Sequence, residues 1–184
     1  ARMEMAQVSL GALFKEDQKK ADEFFDFLNK SAKESFFAQK DFYTSGKMFA
    51  AMSKDLKTLE YATKLSERLG ASNMDQGMEG AAYAMREMLS GDFVSLQERF
   101  NMSRADIKKY IKDQTTVEGK LRGLDQLLTK MGYSQEYVNK VNDTAYAKWL
   151  KLGDTAKLKL AEMGKAALEK AKPALDKLAL LLES

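Results

Sequence analysis

The sequence predicts an all-α fold, a bundle of several short to medium helices followed by a long C-terminal helix. Three observations carry that prediction. The chain of 184 residues has a single Pro, the one residue that strongly breaks helices. It is rich in Ala, Leu, Lys, Glu and Met, which lose little side-chain freedom in a helix. Its apolar residues recur at steps of three and four along most of its length. With 45% hydrophobic and 31% charged residues, it lies well away from the composition of disordered chains.

The expected organisation is a helical module over 1–142 and a long amphipathic helix over 143–184. Ala1-Arg2-Met3-Glu4-Met5 lacks the apolar run of a signal peptide. Beginning at Ala1 inside a helical pattern, the chain reads as a piece or processed form of a longer one. Ala21, Phe24, Phe25, Leu28 and Ala32 form one face of a helix ending near Phe36. A second helix is expected around Gly46 to Ser53, presenting Met48, Phe49 and Met52. A third follows from Leu56, Leu59, Ala62, Leu65 and Leu69, with Gly70 placed as a left-handed stop.

Ser72 with Asp75 has capping-box spacing ahead of the stripe Met78, Ala81, Ala82, Met85 and Leu89. Ser90-Gly91-Asp92 should stop that helix and start another, with Gly91 in a Gly-permissive conformation. Phe93, Leu96 and Phe100 then face one way. Ser103 with Asp106 repeats the cap spacing before Ile107, Tyr110 and Ile111, and Thr115 with Glu118 repeats it before Val117, Leu121, Leu124, Leu127 and Leu128. Gly132 closes that helix and Ser134 opens the next. Phe24, Leu28, Leu65, Leu69, Met85, Leu89, Phe93 and Phe100 are expected to be buried together, each contributing about 1.5–3 kcal/mol.

From about Asp143 no stop is expected until Pro173. The seam Trp149, Leu152, Leu160, Met163, Leu168, Leu175, Leu178 and Leu182 is too extended for the preceding helices to cover, so self-association through it is expected. Lys148, Lys151, Lys157, Lys159, Lys165, Lys170, Lys172 and Lys177 accompany this stripe. A basic amphipathic helix can lie on an anionic membrane, but the interleaved Asp154, Glu162, Glu169 and Asp176 fit a solvated coiled-coil exterior better.

The sequence offers little for catalysis. It has no Cys and no His, which removes thiol nucleophiles, His bases and Cys/His metal sites. Gly46-Lys47, Gly119-Lys120 and Gly164-Lys165 are followed by Met48, Leu121 and Ala166, so none completes a phosphate loop. Gly77-Met78-Glu79-Gly80 has the spacing of an RNA-clamping loop, but Glu79 would repel a phosphate backbone and the flanks read as helix. Asp22 with Asp26, Glu79 with Glu87, and Asp92 with Glu98 are carboxylate pairs expected on solvated faces rather than in acid-base roles. Met74, Met78, Met85 and Met88 read as core filler before they read as an adaptable binding face. A net charge of +3 is too small for a nucleic-acid footprint. No catalytic residue, cofactor, metal or sequence-specific nucleic acid is expected.

One arrangement is more specific. Leu10-Gly11 precedes the aromatic helix from Phe24 to Phe37 and the helices between Met48 and Gly70. Ala81-Ala82 then leads into Met85-Arg86-Glu87-Met88-Leu89-Ser90-Gly91-Asp92-Phe93, Ser95-Leu96 and Arg99-Phe100-Asn101-Met102-Ser103. This order resembles the N-terminal part of the tail tape measure proteins of bacteriophages and prophages. The similarity continues through Val117-Glu118-Gly119-Lys120-Leu121, Trp149-Leu150-Lys151-Leu152 and Leu160-Ala161-Glu162-Met163-Gly164, covering roughly Gln7 to Gly164. Leu10, Gly11, Ser90, Gly91, Asp92, Phe93, Arg99 and Phe100 carry its most specific parts.

The resemblance implies a structural role. Tail tube subunits polymerise around such chains, whose length sets tail length, and the chains leave the tube ahead of the DNA at infection. It implies contacts with tail tube protein and tail assembly chaperones, transient membrane contact, assembly in the bacterial host cytoplasm and residence in the virion tail. A helix advances about 1.5 Å per residue, so one unbroken helix of this length would span at most roughly 280 Å. The Gly70, Gly91 and Gly132 breaks indicate a folded module within such a ruler instead. A helical adaptor and an amphipathic membrane-surface module are the rival readings.

Overall fold

The computed structural model describes residues 2–15, 17–144, 147–148, 151–154, 156, 173–174 and 176–182. Every regular element among them is helical: α1 (Arg2–Phe14), α2 (Gln18–Glu34), α3 (Gln39–Ala50), α4 (Leu56–Ser72), α5 (Gly77–Leu89), α6 (Val94–Glu98), α7 (Arg104–Ile107), a π-helical turn (Lys108–Lys112), α8 (Val117–Lys130) and α9 (Gln135–Asn142).

The starts are set by side chains that accept orphan N–H groups. Asp17 takes Lys20 N–H, Asp55 takes Thr58 N–H, Ser103 takes Asp106 N–H and Ser134 takes Tyr137 N–H. The last two are caps that the spacing predicts. The cap of α8 is Thr116, which accepts from Gly119 N–H at 3.0 Å, rather than Thr115. Ser72 does not cap α5 but is the last residue of α4, and α5 starts four residues later than that cap implied.

Two glycines depart from the sequence reading for one physical reason. Gly70 does not stop α4, because its backbone stays helical. Its missing side chain lets α5 approach, since a Cβ there would meet the Met78 backbone nitrogen at 2.8 Å. Gly46 does not begin a helix but sits inside α3, where a Cβ would meet the Leu28 side chain at 2.7 Å. The helix around it starts at Gln39 because Ala38 is extended and the Asp41 carboxylate accepts the Ala38 N–H at 3.2 Å.

α4 is the axis of the bundle. It packs against α5, α3, α8, α2 and α9, while α1 covers α2 and α3. Of the predicted common core, Phe24, Leu28, Leu65, Leu69, Met85 and Phe100 are buried, and Leu89 and Phe93 are half-buried against the same cluster. Met78, Met85 and Met88 are core, whereas Met74 is 44% exposed. The aromatic residues of α2 interlock with their neighbours: Phe24 meets Phe14 edge-on at 6.2 Å and Phe25 stacks on Tyr43 at 5.5 Å, separations at which aromatic pairs attract.

A polar cluster within this core joins α4 to α8. Arg68 bonds Asp125 through both the carboxylate and the backbone carbonyl, Thr129 through its hydroxyl at 3.0 Å, and the Tyr133 carbonyl at 2.9 Å. Tyr61 donates to the same carboxylate. The guanidinium is thereby satisfied from several sides, as a buried charge must be.

Most of the predicted C-terminal helix lies outside the described residues, including Trp149, Leu160, Met163, Leu168 and Leu175. The described pieces are helical at 151–154, 173–174 and 176–182. Leu152, Leu178 and Leu182 are exposed. α9 ends at Asn142, and Thr144 then caps the following turn by accepting from Ala147 N–H at 3.2 Å.

Candidate functional site

The segment from Leu89 to Ser103 is built as a helix stop followed by a tight restart. After α5, the Gly91 N–H donates to Met88 O at 3.0 Å and the Asp92 N–H to Glu87 O at 2.9 Å. This is the paired pattern of a Schellman stop, with Gly91 at φ +93°, a conformation that only Gly adopts without strain. Asp92 then accepts from Val94 N–H at 3.0 Å, and the Ser95 hydroxyl donates to the Glu87 carboxylate at 2.6 Å, tying α6 back onto α5.

At the far end of α6, Phe100 drops into the core. Asn101 turns the chain at φ +55°, and Met102 N–H closes on Leu96 O at 3.1 Å. The Arg99 carbonyl accepts from the Asn73 side chain at 2.7 Å, anchoring this corner to the end of α4. Ser90, Gly91, Asp92, Phe93, Arg99 and Phe100 thus form one local unit. Leu10, which is buried, and Gly11 lie on α1, which packs on α2 and α3, so they do not join it.

A second feature lies where the end of α9 and residues 151–154 meet the α2–α3 turn. The Phe36 N–H donates to the Asn142 side chain at 2.6 Å, and Lys151 donates to the Phe37 carbonyl at 3.2 Å while pairing with Asp154 at 3.1 Å. Between this segment, the α2–α3 turn and the start of α5 lies a groove of about 540 Å³, with Phe36, Phe37, Met74 and Met78 as apolar lining and Asp41, Glu79 and Asp154 as carboxylates. Burial raises the Asp41 carboxyl above its usual value, and the charges of Glu79 and Asp154 add to the rise. Glu79, read from the sequence as part of a GxxG spacing, lies in the first turn of α5 rather than in a loop.

The structure does not bring the predicted carboxylate pairs into a common site. Asp22 accepts from the Gln18 side chain and Glu87 from Ser95. Among the described residues no group of three or more acidic side chains is arranged to hold a metal ion, and no helix is long and apolar enough to cross a membrane. What these features can do is fix helix directions and present surfaces. The groove carboxylates and the Arg68–Asp125 contact escape sequence reasoning, because their members are far apart in the chain and share no spacing.

Comparison with known proteins gives no matching family model, no matching curated protein and no matching solved structure.

Proposed function

We propose that this chain is a folded structural module of a phage or prophage tail tape measure protein, acting by contact during tail tube assembly and length determination and leaving the tube ahead of the DNA. The observation that carries the reading is the segment Leu89-Ser90-Gly91-Asp92-Phe93 with Arg99-Phe100-Asn101-Met102-Ser103. Its residue types resemble that family, and four of them have a geometric task here: Gly91 forms the stop, Asp92 accepts the Val94 N–H although it does not cap α6, Phe100 anchors in the core and Asn101 makes the second turn.

In this reading residues 143–184 extend as a long amphipathic helix whose seam, from Trp149 to Leu182, meets another copy, the tail tube protein or an assembly chaperone. The exposure of Leu152, Leu178 and Leu182 supports an unfilled apolar seam. Assembly takes place in the host cytoplasm and the product resides in the virion tail.

Deleting the corresponding gene from its phage and imaging the tails tests the reading. Absent tails, or tails of irregular length, are expected; tails of uniform normal length would overturn it. Anionic vesicles separate the membrane-surface alternative, which requires salt-sensitive binding and a gain of helix on addition of lipid.

A further inference from the structure

Tyr83 stands on the outer face of α5 and is 37% exposed. Arg86, one turn later, holds its guanidinium carbon 5.0 Å from the centre of that ring, and Arg99, at the end of α6, holds its own at 5.6 Å. A cation at such a distance is attracted by the ring quadrupole. Among the described residues neither guanidinium has a carboxylate within ion-pair distance. Arg68 has its donors taken up by Asp125, Thr129 and Tyr133. Arg86 and Arg99 are exposed, held by the ring, and keep their planar donor forks uncommitted.

The backbone under this cluster is fixed. The Arg99 carbonyl accepts from Asn73, and the Ser95 to Glu87 bond ties α6 to α5. Two like charges gathered at one ring repel each other, and an anionic ligand relieves that repulsion while filling both forks. The fork geometry suits carboxylate. A nucleic-acid backbone presents charge continuously and needs a longer basic track. Here Glu79 lies one turn before Tyr83, and Glu98 adjoins Arg99, so the basic patch is short and bounded by acids.

We propose that the α5–α6 corner centred on Tyr83, Arg86 and Arg99 is a docking point for an acidic protein segment, whose carboxylates take the two guanidinium forks while an apolar side chain covers the Tyr83 ring. Tyr and Arg are, with Trp, the side chains enriched among the residues that dominate protein interfaces. Val94, 53% exposed on α6, adds apolar surface to the same pair of helices. The proposal does not depend on the tail reading.

The test uses the full chain and fluorescence anisotropy with a labelled peptide of Glu-Glu-Leu repeats, its Lys-Lys-Leu twin and a short oligothymidine strand. The Glu peptide should bind, weaken with added salt, and lose about tenfold or more in affinity in the Arg86→Gln/Arg99→Gln variant. Tyr83→Leu should weaken binding about threefold. Lys108→Gln/Lys112→Gln removes the same charge from another exposed site and should leave affinity within about twofold. All substituted positions are surface-exposed, and unchanged thermal melts verify folding. Failure of the Glu peptide to bind, equal losses in the two double variants, or tighter binding of the Lys peptide or the oligothymidine would each overturn the proposal.

Discussion

Asp125 and Asp41 are both half-buried carboxylates on helices, yet their surroundings move them in opposite directions. Burial pushes Asp125 up, but the Tyr61 hydroxyl and the Arg68 guanidinium outweigh it and hold the group below its usual value of 3.8. Its folded value is below its unfolded one, so its stabilisation is present above about pH 4 and is lost as pH falls through the lower folded value. Asp41 has the reverse sign: its folded value is raised, so its contribution is most favourable below pH 3.8 and is lost as pH rises through the folded value. Asp125→Asn should therefore flatten the acid limb of a melting-temperature profile. Asp41→Asn should raise the melting temperature near pH 7 and have no effect at the acid end, since Asn keeps an acceptor for the Ala38 N–H. Arg68→Met, read by urea unfolding at neutral pH, should cost about 2–3 kcal/mol. That is less than a fully buried pair because water reaches part of Asp125.

The glycines separate two kinds of constraint at the level of the elements. A methyl at Gly91 or Gly132 meets nothing within 4 Å, so substitution there is opposed only by positive φ, at +93° and +96°. Gly91→Ala and Gly132→Ala should each cost about 1–2 kcal/mol, and Gly91→Val more. Gly123 is under no such strain, but a methyl there would overlap the Tyr110 carbonyl, where α8 lies against the π-helical turn. Gly123→Ala should exceed both in guanidinium titrations, because backbone must move. The two kinds differ in legibility. Ser90-Gly91-Asp92 announces a turn locally, as do Ser103 and Ser134 at their caps, because stop and cap chemistry involves residues two to five apart. Gly70 and Gly46 look the same in sequence as Gly91, yet what they accommodate comes from another helix. Their misreading as helix boundaries follows from that. The core periodicity was readable for a similar reason, since each stripe is a local pattern. The Arg68–Asp125 contact and the Asp41–Glu79–Asp154 groove join chain segments that no spacing rule connects.

Taken as a whole, the molecule presents a closed bundle and a C-terminal segment with exposed leucines. Sedimentation across a concentration series should show self-association of the full chain and a monomer for a chain ending at about residue 142. A strictly monomeric full chain would remove the seam between copies. Phe100→Ala tests the unity of the core. Phe100 is 3% exposed, and its truncation should destabilise the whole fold by about 3–5 kcal/mol in a single transition; a neutral effect would mean that the α6 corner is not part of the common core.

The central position of α4 also has a consequence for how the chain is made. Arg68 bonds Asp125, 57 residues later. At synthesis rates of about 5–20 residues per second, roughly 3–11 s separate the addition of these two residues. Throughout that interval the nascent chain carries an α4 without its α8 neighbour, its Arg68 guanidinium still lacking Asp125 and Thr129. Ribosome-bound chains stalled before α8 should therefore remain protease-sensitive through α4, and those stalled well past α9 should become resistant in one step.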